Sequence, residues 1–125
     1  MNLNQVTVPA LDVDASVKFY ERLGLELIVR SAHYARFSCP QGEATFSVHL
    51  VPELKGPSDI VVYFETASLD EKVASLQRAG MRFMQEPRDE PWLWREARVA
   101  DPTGNIICLY WAGANRLNPP WRIQA

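Results

Sequence analysis

A chain of 125 residues with 47% hydrophobic content is long enough for one compact domain or two small fused modules of a soluble globule. Its 13 Lys and Arg against 15 Asp and Glu leave a formal charge of −2, which argues against nucleic acid as a partner. No apolar run is long enough to span a bilayer, and the two cysteines, Cys39 and Cys108, make neither a disulfide framework nor a zinc pattern.

The segment Met1-Asn-Leu-Asn4 lacks the basic and apolar regions of a signal peptide, so a cytoplasmic, reduced protein is expected. Residues 3–10 alternate and read as a strand, β1. Asp12 is placed to cap a helix, α1, over 13–23. Val13, Val17, Tyr20 and Leu23 fall on one stripe of it, and Gly24 stops it. Strands follow at 25–31 (β2), 33–39 (β3) and 44–51 (β4). Lys55-Gly-Pro-Ser58 reads as a linker. Next come a strand at 59–66 (β5), a helix at 69–79 (α2), and strands at 82–86 (β6), 95–100 (β7) and 105–111 (β8). Between the last two, Asp101-Pro-Thr-Gly104 is a hairpin turn: proline presets the second position and glycine supplies a left-handed residue. The tail around Asn118-Pro-Pro120 is expected to be extended.

The chain repeats itself. Adding 56 to each number carries Val13, Val17, Tyr20 and Leu23 onto Leu69, Val73, Leu76 and Ala79. The same shift carries the cap Asp12 onto Ser68, the stop Gly24 onto Gly80, and the strand before the helix onto another β-run.

Strand parity then sorts the side chains into two faces. One set is wholly apolar: Val6, Val8, Ala10; Phe46, Val48, Leu50; Ile60, Val62, Phe64; Ile107, Leu109, Trp111. That face is expected to pack under the helices. The other set is mixed: Gln5, Thr7; Thr45, Ser47, His49; Val61, Tyr63; Ile106, Cys108, Tyr110. Its second half is too apolar for open water, which favours a lined ligand cleft, or a cleft together with a subunit interface, over a solvated face.

The DPTGN hairpin, the helix Asp14-Ala-Ser-Val-Lys-Phe-Tyr-Glu-Arg-Leu-Gly-Leu25 and the internal repeat together resemble the glyoxalase, bleomycin-resistance and extradiol-dioxygenase superfamily, the vicinal oxygen chelate proteins. The resemblance covers most of residues 3–111 and implies an α+β fold. It implies two βαβββ modules, 1–54 and 55–113, forming a half-barrel sheet with helices on the outer face and a concave ligand cleft. Residues 114–125 would be a C-terminal extension that straps a partner or closes the groove.

Metal enzymes of that family place one His, Gln or Glu ligand on each of four strands. Carried over, those positions are Gln5, Ser47, Val61 and Cys108. Valine has no donor and a neutral serine is a poor ligand, so the metal set is largely lost and no cofactor is expected. A rearranged site would draw on His49, two residues along from Ser47 on the same face, and on Glu96 from β7. The segment Pro91-Trp-Leu-Trp-Arg-Glu96 resembles the Pro-Trp-Gly-x-Arg-Glu of the bleomycin-resistance branch, with Leu93 in place of the glycine. Those proteins lack the metal and do no chemistry. They are dimers that trap a flat, partly aromatic drug.

The ligand-binding candidates are Tyr34, Ser47, His49, Tyr63, Trp92, Trp94, Arg98, Cys108 and Tyr110. Trp92 and Trp94 could sandwich a planar ligand, or one could plug a sheet edge. Tyr34 matches a family position that faces ligand. Tyr63 and Tyr110 are floor positions whose buried hydroxyls would need a partner. Arg98 shares parity with Glu96, and the pair could orient a polar ligand or simply bridge each other. His49 is an acid–base candidate or a wall residue. His33 is read as an exposed hairpin residue. Cys108 would be a nucleophile only if its pKa were lowered, and with no base beside it in sequence it is read as a buried inert thiol.

The expectation is therefore a metal-free, homodimeric protein binding an aromatic or amphipathic small molecule, an antibiotic among the possibilities, with no catalytic residue and no membrane partner. The alternative is a metal-dependent glyoxalase-like lyase or dioxygenase with a remodelled site. A third is a dimerising module with a vestigial cleft.

Overall fold

The computed structural model describes residues 1–124. Its elements are β1 (Gln5–Ala10), α1 (Val13–Leu23), β2 (Glu26–Arg30), β3 (Tyr34–Ser38), β4 (Thr45–Leu50), β5 (Val61–Glu65), α2 (Leu69–Arg78), β6 (Phe83–Asp89), β7 (Arg95–Ala100) and β8 (Ile106–Trp111), then a 3-10 turn Gly113–Asn115. Ten elements were expected and ten are present, each within a few residues of its expected bounds. The fold is α+β and contains βαβββ twice. Among the described residues no helix is long and apolar enough to cross a membrane.

The chain packs as two compact units, Met1–Asp59 with Asp101–Asn105, and Ile60–Ala100 with the residues from Ile106 onward. Each holds one four-stranded sheet, and the strand orders match: β1-β4-β3-β2 and β5-β8-β7-β6. In each, the first and last strands of the βαβββ run pair in parallel and the others pair antiparallel. This common topology is what the shift of 56 residues anticipated.

In the first unit Asp12 caps α1 by accepting from the Ala15 N–H at 3.0 Å. Gly24 ends the helix at φ 113°, a left-handed conformation that costs a residue without Cβ little. The stripe Val13, Val17, Tyr20 and Leu23 is buried. Tyr20 is completely buried, with its ring 4.6 Å from Phe46 and 5.7 Å from Phe37. Its hydroxyl donates to Asp101 Oδ2 at 2.5 Å. Asp101 also accepts from the Thr103 and Asn105 N–H groups and from the Asn105 amide, which fixes the DPTGN turn. Burial, and then the Asp101 charge, hold the Tyr20 phenol far above its usual range.

In the second unit Leu69, Val73 and Leu76 of α2 are buried beside Ala97, Val99, Ile107 and Leu109 of the sheet. Here the repeat is looser than expected. Ser68 stands at the N-cap but makes no side-chain capping bond, and Ala79 is exposed. Two members of the expected apolar face also differ: Ile60 is 72% exposed and Trp111 is 45% exposed. Ile60 lies just before β5, and Trp111 is the last residue of β8. Parity decides which face a side chain takes, but not how far a helix extends over that face. Strand β6 runs to Asp89, past the expected 86, and takes in Pro87 through a register shift between Gln85 and Arg88.

Candidate functional site

The second face of each sheet carries a polar cluster. In the second unit, register places Glu96 opposite Tyr110 and Arg98 opposite Cys108, while β5 brings Tyr63 beside Cys108. Glu96 is the centre. It is 1% exposed, and its carboxylate accepts from Trp92 Nε1 at 2.6 Å, from Arg98 Nη2 at 3.3 Å and from the Cys108 thiol at 3.7 Å. Arg98 Nη2 also lies 3.3 Å from the Tyr63 hydroxyl. A buried carboxylate without such donors would cost several kcal/mol, so Glu96 fixes the positions of the groups around it.

Charge in this cluster is balanced internally. Burial opposes the Arg98 charge, yet the hydrogen bond to Glu96 and the electrostatic influence of neighbouring Cys108, Tyr63 and Glu96 hold the guanidinium above its ordinary pKa. Burial, reinforced by Glu96, pushes the Cys108 thiol up to about 12. At neutral pH it is protonated, which suits neither a nucleophile nor a metal ligand.

An aromatic group adjoins these charges. Trp94 stacks on Tyr110 with centroids 4.8 Å apart and planes 22° apart, and Tyr63 meets both rings edge-on. Trp94 Nε1 donates to the Asn115 carbonyl at 3.3 Å. Cys108 and Tyr110 are buried behind this surface, Trp94 is half-buried, and Trp92 and Tyr63 are exposed.

The loop presenting both tryptophans has a twin. In Glu90-Pro-Trp-Leu-Trp94 the Leu93 N–H donates to the Glu90 carbonyl and the Glu90 N–H to the Trp94 carbonyl. In Asp101-Pro-Thr-Gly-Asn105 the Gly104 N–H donates to the Asp101 carbonyl and the Asp101 N–H to the Asn105 carbonyl. Gly104 has φ 99° and Leu93 has φ 68°, the one non-glycine residue with positive φ among the described residues. Leucine thus takes a glycine's conformation, at a cost of about 1–2 kcal/mol.

In the first unit the cluster is a hydrogen-bonded chain. Gln5 Nε2 donates to Ser47 Oγ at 2.7 Å, Ser47 Oγ lies 2.6 Å from the Tyr34 hydroxyl, and Arg36 Nε donates to that hydroxyl at 2.9 Å. Ser47 is completely buried. Its hydrogen bond, more than Arg36, holds the Tyr34 phenol below its usual range despite some desolvation. His49 stands opposite Tyr34 in the register but is exposed, as is His33.

The nine candidates thus fall into two groups. Tyr63, Trp92, Trp94, Arg98, Cys108 and Tyr110 meet around Glu96, and Tyr34 and Ser47 meet in the other unit with His49 beside them. Arg36 was missed, although its parity with Tyr34 on β3 was visible. Glu96 is read from the sequence as a partner of Arg98 and as a member of a rearranged metal site, but its burial is not, because alternation gives a face but not a depth. A groove of about 480 Å³ between linker residues 51–58 and Thr103–Asn105 has no residue of either cluster in its lining.

The donors at the four carried-over metal positions do not suit a metal ion. Gln5 and Ser47 are bonded to each other, Val61 has no donor and Cys108 is a protonated thiol. Among the described residues no group of three or more His, Cys, Asp or Glu is placed to hold one.

Residues 2–109 match the model of the Glyoxalase/Bleomycin resistance protein/Dioxygenase superfamily. An uncharacterized protein of Mycolicibacterium smegmatis is 30% identical over 109 residues, 86% of this chain and 91% of that protein. Crystal structures that share the fold include the following two. A glyoxalase/bleomycin resistance protein/dioxygenase from Nocardioides has a TM-score of 0.77 at 23% identity, covering 99% of this chain and 90% of its own. A bleomycin-binding protein complexed with bleomycin has a TM-score of 0.71 at 21% identity, covering 89% and 98%.

Proposed function

Since the chain belongs to the glyoxalase/bleomycin resistance protein/dioxygenase superfamily, we propose that it is a metal-free small-molecule-binding protein of that family, with an aromatic or amphipathic ligand. An antibiotic is one candidate of that chemistry. The observation that carries the reading is the aromatic surface of the second unit: exposed Trp92 and Tyr63 beside stacked Trp94 and Tyr110. A flat guest would stack on it. Arg98, tied to Glu96 yet partly exposed, would orient a polar edge of the guest, and Cys108 would be an inert thiol behind the surface. A neighbour of the same fold bound to bleomycin supports a binding role in general terms. The unsuitable donors at Gln5, Ser47, Val61 and Cys108 support the metal-free part of the reading. A cytoplasmic homodimer belongs to the same proposal.

The test is a titration of tryptophan emission with a panel of planar aromatic compounds. Saturable quenching by at least one member is expected, with affinity falling about 10-fold or more in Trp92→Ala, the size expected for losing an aromatic anchor. A panel that leaves the emission unchanged overturns the proposal. Stoichiometric nickel, zinc or iron in protein purified without chelators would favour an enzyme instead.

A further inference from the structure

The two units are built in the same register, and one difference between them points to an occupant. On β7 and β8, Arg98 stands opposite Cys108 and Glu96 opposite Tyr110. On β3 and β4, Arg36 stands opposite Ser47 and Tyr34 opposite His49. Arg36 therefore corresponds to Arg98, and Tyr34 to Glu96. Arg98 has its counter-charge on the corresponding neighbour, with the Glu96 carboxylate 3.3 Å away. Arg36 has a neutral phenol there, and no carboxylate of the described residues forms an ion pair with it.

The proton positions in this cluster can be assigned by elimination. Gln5 Nε2 also lies 3.3 Å from the Val6 carbonyl, which can only accept, so the amide nitrogen faces Ser47 and Ser47 Oγ accepts from it. The one serine proton then goes to the Tyr34 oxygen, 2.6 Å away. The reverse assignment would leave a buried serine proton without an acceptor, a cost of about 1–3 kcal/mol. Tyr34 Oη thus accepts from both Ser47 and Arg36, and its own proton is left over. A phenol that accepts twice is a strengthened donor. It lies on a half-exposed side chain beside a guanidinium that stacks 5.4 Å from its ring centroid.

We infer that Tyr34 and Arg36 form an oxyanion-binding site that takes the carboxylate of a small organic molecule. The phenol would donate one hydrogen bond and the free N–H groups of Arg36 the others. Gln5 and Ser47, at positions where metal-dependent relatives would place ligands, act here as positioning residues that aim the Tyr34 proton outward. The site lies wholly within the first unit and stands whether or not the aromatic surface of the second binds a guest.

The test is a proton–nitrogen shift titration of the full chain with 4-nitrobenzoate and with its neutral counterpart 4-nitrobenzamide. The carboxylate is expected to saturate shifts of the Arg36 Nε–H and of β3 and β4 amides, at least 10-fold more tightly than the amide. Tyr34→Phe and Arg36→Gln should each weaken the carboxylate about 10-fold, the size of one charge-assisted hydrogen bond, and leave the amide unchanged. Ser47→Ala, which keeps the phenol but frees its proton to turn, should weaken it by a smaller factor. Absent or non-saturating shifts at Arg36, equal binding of the two compounds, or carboxylate affinity unchanged in both Tyr34→Phe and Arg36→Gln would overturn the inference. None of these outcomes touches the tryptophan quenching that tests the aromatic surface.

Discussion

Leu93 is the clearest case at the scale of single residues. It occupies the position that Gly104 fills in the twin turn, and it does so at φ 68°. Leucine in that conformation costs about 1–2 kcal/mol, whereas glycine costs about 0.5–1 kcal/mol in extra freedom of the unfolded chain. Leu93 is 47% exposed, so removing its side chain gives up only part of its burial. Leu93→Gly should therefore leave stability unchanged or raise it by up to about 1 kcal/mol, read from urea unfolding midpoints. A loss larger than about 1 kcal/mol would mean that the leucine side chain supports the tryptophan loop rather than straining it. The departure from Pro-Trp-Gly was legible in the sequence, but the resulting backbone was not. Nor was the depth of Glu96: parity with Arg98 gives it a face of β7 but not its burial. Burial came from three donors, Trp92, Arg98 and Cys108, that converge only after β6, β7 and β8 are assembled.

At the scale of elements, the two helices are copies with different ends. Asp12 makes its capping bond at 3.0 Å, while the Ser68 hydroxyl makes none. Asp12→Ala should cost about 1 kcal/mol, and Ser68→Ala should stay within about 0.5 kcal/mol. Thermal or urea unfolding of the two variants side by side checks this, and equal losses would refute it. The second helix is held another way: Arg95 on β7 bonds Asp70 at 2.9 Å and 3.0 Å and Asp89 at 3.1 Å. That partner holds the Asp70 carboxyl below its usual range. The contribution is present above the unfolded carboxylate range and fades as pH falls through the depressed value. Both groups are open to solvent, so this tie is weak. Element order and stripes followed from hydrophobic periodicity, which survives any packing detail. Cap chemistry did not follow, because a serine at the right position still needs the right backbone angles, and Ser68 has φ −107° and ψ 52°.

For the whole molecule, the motifs that carried the family resemblance turn out to be structural. Tyr20 in the first helix and Asp101 in the DPTGN turn are 81 residues apart and share the 2.5 Å hydrogen bond that anchors the turn. They explain the shared fold and say nothing about the ligand. Large apolar side chains remain exposed on the chain, among them Ile60, Met84, Leu117, Trp121 and Ile123. Side chains exposed singly in this way do not by themselves define an interface, so the proposed homodimer is tested in solution. Light scattering at micromolar concentration is expected to give twice the chain mass, and a single-chain mass persisting up to high concentration would remove the homodimer from the proposal.

The sequence by itself determined the order of the ten elements, their duplication and most of the apolar face of β1, β4, β5 and β8. These depend on local period and residue chemistry, which a chain carries before it folds. Only the tertiary structure decided that Glu96 is buried, that Cys108 is a protonated thiol and that Arg36 lacks the counter-charge Arg98 has. Those properties are set by desolvation and by donors brought together from distant strands, and alternation along a single strand does not encode them.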